Sequence, residues 1–327
     1  MIRFRLAALF VCVLVSTASA TDRKSEAVNE AYKKIMLLSW PAIPESCGPE
    51  LRQLLVDVSK LPKRAAVDEY ALLAKLHEKK CIDQHFHVHI PSDIRIVQGM
   101  KAQCQKPPVV LEKVSGVWQL RFNDFLWSGP GYGAHGCKNR TREFVEFRER
   151  LASGKTEFRP GDPYILNLMD VPGGSDSAMN FALGGFFAYM GGMSSYSVMR
   201  RTGPNLEIGQ HVTTPRWAGV MGCPLFIFVN HETASAAEVM GDQVRSWCNP
   251  LGKAYVIGQT TLGKFAKTAF LPVGNAEVQF SVEIYKTSGA PHTLNYIGII
   301  PDEIVPPGME MERALLHMKR MDLSSPR

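Results

Sequence analysis

The chain has 327 residues, 45% of them hydrophobic and 21% charged, which is ample material for a folded core. The formal net charge is +6, but basic and acidic residues are interspersed, so nothing in the charge pattern argues for nucleic acid as a partner. Apart from the first twenty residues, no apolar segment approaches the length of a membrane span.

Residues 1–20 read as a secretory signal peptide. Arg3 and Arg5 precede the apolar run Leu6 to Val15, and Ala18-Ser19-Ala20 offers a small-residue cleavage site. An N-terminal anchor that is never cleaved is the alternative. Cleavage near Ala20 removes two arginines and leaves a net charge of +4 and six cysteines: Cys47, Cys81, Cys104, Cys137, Cys223 and Cys248. An even number in an exported chain suggests disulfides, with the connectivity open. Cys223 precedes a strand and Cys248 ends the helix after it, so each is expected to find its partner elsewhere unless the connection folds back. The expected location is extracytoplasmic, periplasmic or secreted, with no integral membrane segment in the mature chain.

Residues 21–107 form a helical N-terminal region. Segments 24–38, 48–59 and 65–80 have helical spacing and are separated by Pro41, Pro44 and Pro62. Within it, His85-Phe-His-Val-His89-Ile alternates strictly. As a strand it would put three histidines on one face and Phe86, Val88 and Ile90 on the other. His-x-His is a zinc-ligand spacing, with Cys81, Asp83 or His135 as further ligands. A half-exposed strand with a histidine solvent face explains the pattern equally simply, and no second ligand cluster accompanies it, so no metal or other cofactor is expected.

From residue 108 to 327 the pattern is α/β. Val109–Lys113 and Val117–Phe122 suggest a hairpin around Ser115-Gly116. Trp127 to Cys137 is a glycine-rich loop without a phosphate-binding lysine pattern. Phe144–Ala152 reads as a helix, Tyr164–Met169 as a buried strand ending in Pro172-Gly-Gly174, and Asn180–Met190 as an apolar helix followed by a polar connection through Thr214. Leu225–Val229 is a continuous apolar run, hence a strand buried on both faces. The period then changes: Ala237, Met240, Val244 and Trp247 recur at helical spacing, so a helix runs from about Ser235 to Trp247. Ala254–Ile257 is the next strand, completing a right-handed βαβ crossover. Ala269–Leu271 and Val278–Ile284 continue the β structure, and Met309–Met321 reads as a closing helix.

Ser235 therefore stands at the helix N-terminus, beside unpaired backbone N–H groups that can hold an oxyanion. Ser235-Ala-Ala-Glu238 also fits a capping box, which makes Ser235 a plain N-cap. The loop leaving the second strand, Gly258-Gln-Thr-Thr-Leu-Gly-Lys264, carries one lysine that can meet the serine in space.

Thr233-Ala-Ser-Ala-Ala-Glu238 followed by Gly258 to Lys264 resembles the signature of the C-terminal processing (tail-specific) serine peptidases. Tyr164 to Gly174 is similar to the strand and Asn-Pro-Gly-Gly turn of that family. Tyr285-Lys-Thr-Ser-Gly289 and Gly298-Ile-Ile-Pro-Asp302 are similar to its closing elements. The resemblance covers about residues 110–306. It implies a Clp protease/crotonase-like α/β core of ββα units, Ser235 as nucleophile, Lys264 as base, and an oxyanion hole from the N–H of Ala236 with that of Gly173 or Gly174. It implies protein or peptide substrates and no cofactor.

The chain departs from the family pattern in several places. Lys264 follows the serine by 29 residues, a few more than usual, and the connection Trp247 to Gly252 accommodates the excess. Thr268 stands where a glutamine often orients the lysine, and Met169 where an arginine is usual. No PDZ-like stretch is present. A catalytically impaired relative that binds peptides or acts as a scaffold is the alternative function. A tricorn-like base from His85, His87 or His89, and a zinc hydrolase, are more remote ones.

Overall fold

The computed structural model describes residues 25–321, apart from 40, 64–67, 91–100, 127–136, 138, 160, 188–193, 203–204, 214–218 and 287–296. Residues 1–20, read above as a signal peptide, lie outside the described residues, as do His135 and most of the glycine-rich loop. Among the described residues, no helix is long and apolar enough to cross a membrane. The chain divides into two compact units: one of Met1–Val97, Arg201–Asn205 and Thr268–Val282, the other of Gln98–Arg200, Leu206–Lys267 and Glu283–Arg327. The first is thus not confined to the helical stretch before residue 108, because it takes a β-hairpin from far along the chain.

In the first unit, α1 (residues 25–38), α2 (Gly48–Ser59) and α3 (Glu69–Glu78) pack with β1 (His87–His89) and with residues 268–282 of the hairpin formed by β9 (Ala266–Val273) and β10 (Ala276–Lys286), whose outer ends, residues 266–267 and 283–286, belong to the second unit. Strand β1 runs antiparallel to β10, with His87 opposite Gln279. The apolar alternation expected around the histidines is observed: Phe86, Val88 and Ile90 are buried in one cluster with Leu51, Leu55, Val58, Val278 and Phe280. A disulfide joins Cys47 to Cys81.

The second unit is built on a six-stranded sheet ordered β11-β8-β7-β4-β3-β2. Here β2 (Val109–Val114) and β3 (Val117–Phe122) form the expected hairpin, while β4 (Tyr164–Asn167), β7 (Phe226–Val229), β8 (Tyr255–Gly258) and β11 (Glu303–Ile304) continue in parallel. Helices α4 (101–105), α5 (Arg140–Ala152), α6 (Asp176–Phe186), α7 (Ala236–Cys248) and α8 (Glu310–Arg320) complete the described helices.

Strand β7 shows why a continuous apolar run was needed. Ile227 and Val229 enter the core shared with α6 and α7, whereas Phe226 and Phe228 enter the one that holds Ala314 and Met318 of α8. All four are buried, and each such side chain contributes on the order of 2 kcal/mol. On α7, Ala237, Met240, Val244 and Cys248 form the buried stripe, so the periodicity that predicted this helix is the periodicity of its packing. At the end of β8, a Cβ on Gly258 would stand 1.8 Å from the Val229 oxygen, so only glycine lets the two central strands meet there.

Two expectations are corrected. The polar stretch before residue 214 is not a connection: β5 (Ser194–Thr202) and β6 (Asn205–Thr213) are neighbouring strands, and Val198 of β5 pairs with Tyr285 of β10. Serine, threonine and arginine occupy positions where apolar residues would have signalled a strand, so only β-propensity remained. The cysteines of the crossover do not seek partners elsewhere either. Cys223 pairs with Cys248, because α7 returns to the start of β7, where Ala254 N–H bonds the Pro224 carbonyl at 2.8 Å. Cys104 pairs with Cys137.

One side chain of α7 weakens the fold at neutral pH. Burial raises the Asp242 carboxyl to about 6, only partly offset by Arg245, and among the described residues it accepts no hydrogen bond. Below the unfolded value near 4 both states carry the proton. The penalty develops as pH rises from about 4 to about 6 and is complete above that. Asp242→Asn is therefore expected to stabilise the protein by on the order of 2 kcal/mol at pH 8 and by almost nothing at pH 4, read from denaturant unfolding at the two pH values.

Candidate active site

The turns that follow β4 and β7 are sewn together, and this places the residues singled out in the sequence. Thr233 Oγ1 donates to the Leu168 carbonyl at 2.9 Å and accepts from Asn230 N at 3.0 Å. Asn230 bonds Asp170 twice, through Nδ2 to Oδ1 at 2.7 Å and from Asp170 N to its own Oδ1 at 3.0 Å. Ala234 N–H reaches the Val171 carbonyl at 3.0 Å. Neither turn can move without the other.

Ser235 follows with φ 55° and ψ −124°, a conformation that side chains with a Cβ rarely adopt. Such backbone strain costs on the order of 1–3 kcal/mol and persists where the surroundings enforce it. Ser235 and Glu238 form the capping box expected from the sequence, but an N-cap is usually extended, so this φ sets the serine apart from an ordinary helix start. Gly173, with φ 90°, lies against it: a Cβ there would stand 2.6 Å from Ser235 Cβ and 3.0 Å from Ala236 N. Among the described residues, neither Ala236 N–H nor the N–H groups of Gly173 and Gly174 have an acceptor. The serine, the helix N-terminus and the glycine turn thus converge.

Glu238 connects this turn to the lysine loop. Its carboxylate is fully buried and accepts four bonds: Ser235 N at 2.8 Å, Lys264 N at 2.7 Å, Gly263 N at 2.7 Å and Thr261 Oγ1 at 2.5 Å. Ser235 N and Lys264 N share one oxygen, Oε2. Burial raises the Glu238 carboxyl, and the four donors pull it back. The sequence reading had only the capping half of this role. The acidic residue three after the serine was visible, but its partners on a loop 23 to 26 residues away were not.

Lys264 is half-buried and makes no ion pair among the described residues, whereas Lys267 is held by Glu283 at 3.3 Å. Of its neighbours, Phe265 and Ala266 are buried and Leu262 is 45% exposed. Thr268, in the first unit, accepts from Gln279 Nε2 at 3.1 Å. Met169 is partly buried against the cluster around Phe226.

The three histidines belong to the first unit, and each pairs with a different carboxylate. His85 Nδ1 meets Asp83 at 3.0 Å, His87 Nδ1 meets Glu69 at 3.1 Å and His89 Nε2 meets Glu277 at 3.2 Å. Burial acts to raise Glu69 and Asp83, but their histidine and other donors outweigh it and hold both below the ordinary range. His85 is not on a half-exposed strand face, because β1 begins only at His87 and the His85 ring is buried. Among the described residues, no group of three or more metal-ligating side chains is assembled.

The model of peptidase family S41 matches residues 121–305, more than half of the chain, a span that includes Ser235, Glu238, Lys264 and the glycine turn but not the three histidines. The chain belongs to peptidase family S41. It is 34% identical over 84 residues to a carboxyl-terminal-processing protease of Picosynechococcus sp., a match that covers 25% of this chain and 19% of that relative. The chain thus spans about a fifth of the curated relative. Among solved structures, a lipoprotein from Streptococcus agalactiae overlays with a TM-score of 0.52 at 14% identity, covering 82% of this chain and 94% of that one. A looser overlay, TM-score 0.41 at 18% identity, is found with a photosystem II D1 C-terminal processing protease, covering 62% and 49%. The Clp protease-like α/β fold expected from the sequence is the fold of this family.

Proposed function

We propose that the protein is an exported serine endopeptidase that cleaves protein or peptide substrates through a Ser235–Lys264 dyad. The observation that carries the reading is the shared Glu238 carboxylate, which holds the backbone of both residues beside a strained serine and a turn whose N–H groups have no acceptor among the described residues. A strained, positive-φ serine at a strand-to-helix turn is how a nucleophile is held clear of its own helix.

Ser235 Oγ attacks the scissile carbonyl carbon while the Lys264 amine takes its proton. The developing oxyanion is held by Ala236 N–H with that of Gly173 or Gly174, donors already oriented before substrate arrives. Lys264 then passes the proton to the leaving amine, and an acyl-enzyme on Ser235 remains. Water, deprotonated by the same lysine, releases the acid product and restores the serine. Export, with cleavage near Ala20, is supported by three disulfides, which persist in oxidising compartments.

Incubation of the mature protein with an unstructured protein, followed by mass analysis of the products, tests this reading. Discrete fragments with new carboxyl termini support it. An intact substrate beside a well-folded protein favours the alternative of a relative that binds peptides without turning them over, for which Thr268 at the glutamine position is the motivating residue.

A further inference from the structure

The oxyanion turn is itself braced from outside the βαβ crossover, by a group that no motif announced. Phe125 forms a parallel bridge with Gly174: Phe125 N donates to the Gly173 carbonyl at 3.0 Å, and Ser175 N donates to the Phe125 carbonyl at 2.9 Å. The fit is close, since a Cβ on Gly174 would stand 2.5 Å from the Phe125 carbonyl carbon. The position of Gly173 and Gly174 is therefore set by the backbone of Phe125.

That backbone is fixed by its neighbours. Asp124, fully buried, accepts Leu126 N–H at 3.0 Å through Oδ1. Through Oδ2 it accepts Arg140 Nη2 at 3.0 Å and Gln103 Nε2 at 3.2 Å. Arg140, 1% exposed, also donates to the carbonyls of Gln103 and Lys106 and to Glu143. On the other side, Cys137 N–H reaches the Leu126 carbonyl at 2.8 Å, and Cys137 is joined to Cys104, the neighbour of Gln103. Helices α4 and α5 thus grip residues 123–126 from both ends, and both polar groups of the Phe125 backbone are spent on the glycine turn.

We propose that the buried Asp124–Arg140 pair is a positioning device for the oxyanion turn, acting through Phe125; this rests on the catalytic reading of Ser235 and Gly173–Gly174 above. A buried ion pair is a poor source of stability, because desolvation offsets its attraction. What it supplies is one fixed geometry. A catalytic group displaced by an ångström loses on the order of 10²-fold in rate. Loss of the pair should therefore appear in kcat before it appears in substrate binding.

Asp124→Asn is nearly isosteric and keeps an acceptor for Leu126 N–H while removing the carboxylate from Arg140. Arg140→Lys keeps the charge without the fork, and serves if the first variant fails to fold. Asp83→Asn breaks a buried carboxylate–histidine pair of the first unit and controls for general destabilisation. Assayed well below their melting temperatures, Asp124→Asn and Arg140→Lys are expected to lose roughly 10- to 100-fold in kcat with KM nearly unchanged, and Asp83→Asn to keep kcat. Hydrogen exchange, which needs no activity, is expected to rise at residues 171–176 in the first two variants alone. Wild-type protein that cleaves nothing would sink the catalytic reading, and exchange at 171–176 would still decide the positioning claim. Unchanged kcat and unchanged exchange at 171–176 in a folded Asp124→Asn would overturn it.

Discussion

Ser235→Ala is expected to abolish hydrolysis, by roughly 10⁴-fold or more, while changing stability by no more than about 1 kcal/mol. The two effects separate because the serine hydroxyl is the attacking group, whereas the structure of the turn rests on other atoms. Thr233, Asn230 and Asp170 hold the turn, and Glu238 accepts from the backbone N–H of residue 235, which alanine retains. A companion substitution sharpens the point. The φ of 55° at Ser235 is strained for any residue with a Cβ, so Ser235→Gly is expected to be dead and yet more stable than wild type by roughly 1 kcal/mol. Thermal unfolding of the three proteins, with turnover of one unstructured substrate, reads both effects. An active alanine variant would remove the nucleophile from the account.

The second large effect is expected at Lys264. Lys264→Arg keeps a long basic side chain but cannot lose its proton, so it should fall at least roughly 10³-fold, as far as Lys264→Ala. Substitution barely touches the loop itself, which is held by main-chain bonds: Gly263 and Lys264 N–H to Glu238, and Leu262 N–H to the Thr233 carbonyl at 3.1 Å. Lys267→Ala removes only an ion pair with Glu283 and should leave turnover largely intact. Single changes at His85, His87 and His89 should do the same for kcat, since each ring is engaged with its own carboxylate. An arginine variant that works, or a histidine variant that is dead while folded, would transfer the role of base away from Lys264.

Much of the second unit was legible because its signals are local. The apolar run at Phe226–Val229 and the helical stripe at Ala237, Met240 and Val244 are consequences of two-sided and one-sided burial, and burial is what periodicity records. The glycines at 173, 174 and 258 stand out in the sequence as turn and strand-end residues, but that each lets two backbones nearly touch is visible only in the structure. What sequence could not show was long-range. Strands β5 and β6 carry too many polar side chains to stand out, and the Cys223–Cys248 pairing depends on α7 running back along its own sheet. The same holds for the site. Ser235 and Lys264 are candidates picked out by local motifs, whereas Glu238 as the joint between them, and Asp124 with Arg140 behind Phe125, are defined only by partners far along the chain.

The central claim is that Ser235 is an activated nucleophile, and covalent labelling measures this directly. Mature protein treated with a fluorophosphonate and digested for peptide mass mapping should carry one adduct, on Ser235. The adduct should be absent from Ser235→Ala and strongly reduced in Lys264→Arg. A folded wild-type protein that takes up no label, or that carries it on another residue, would contradict the account.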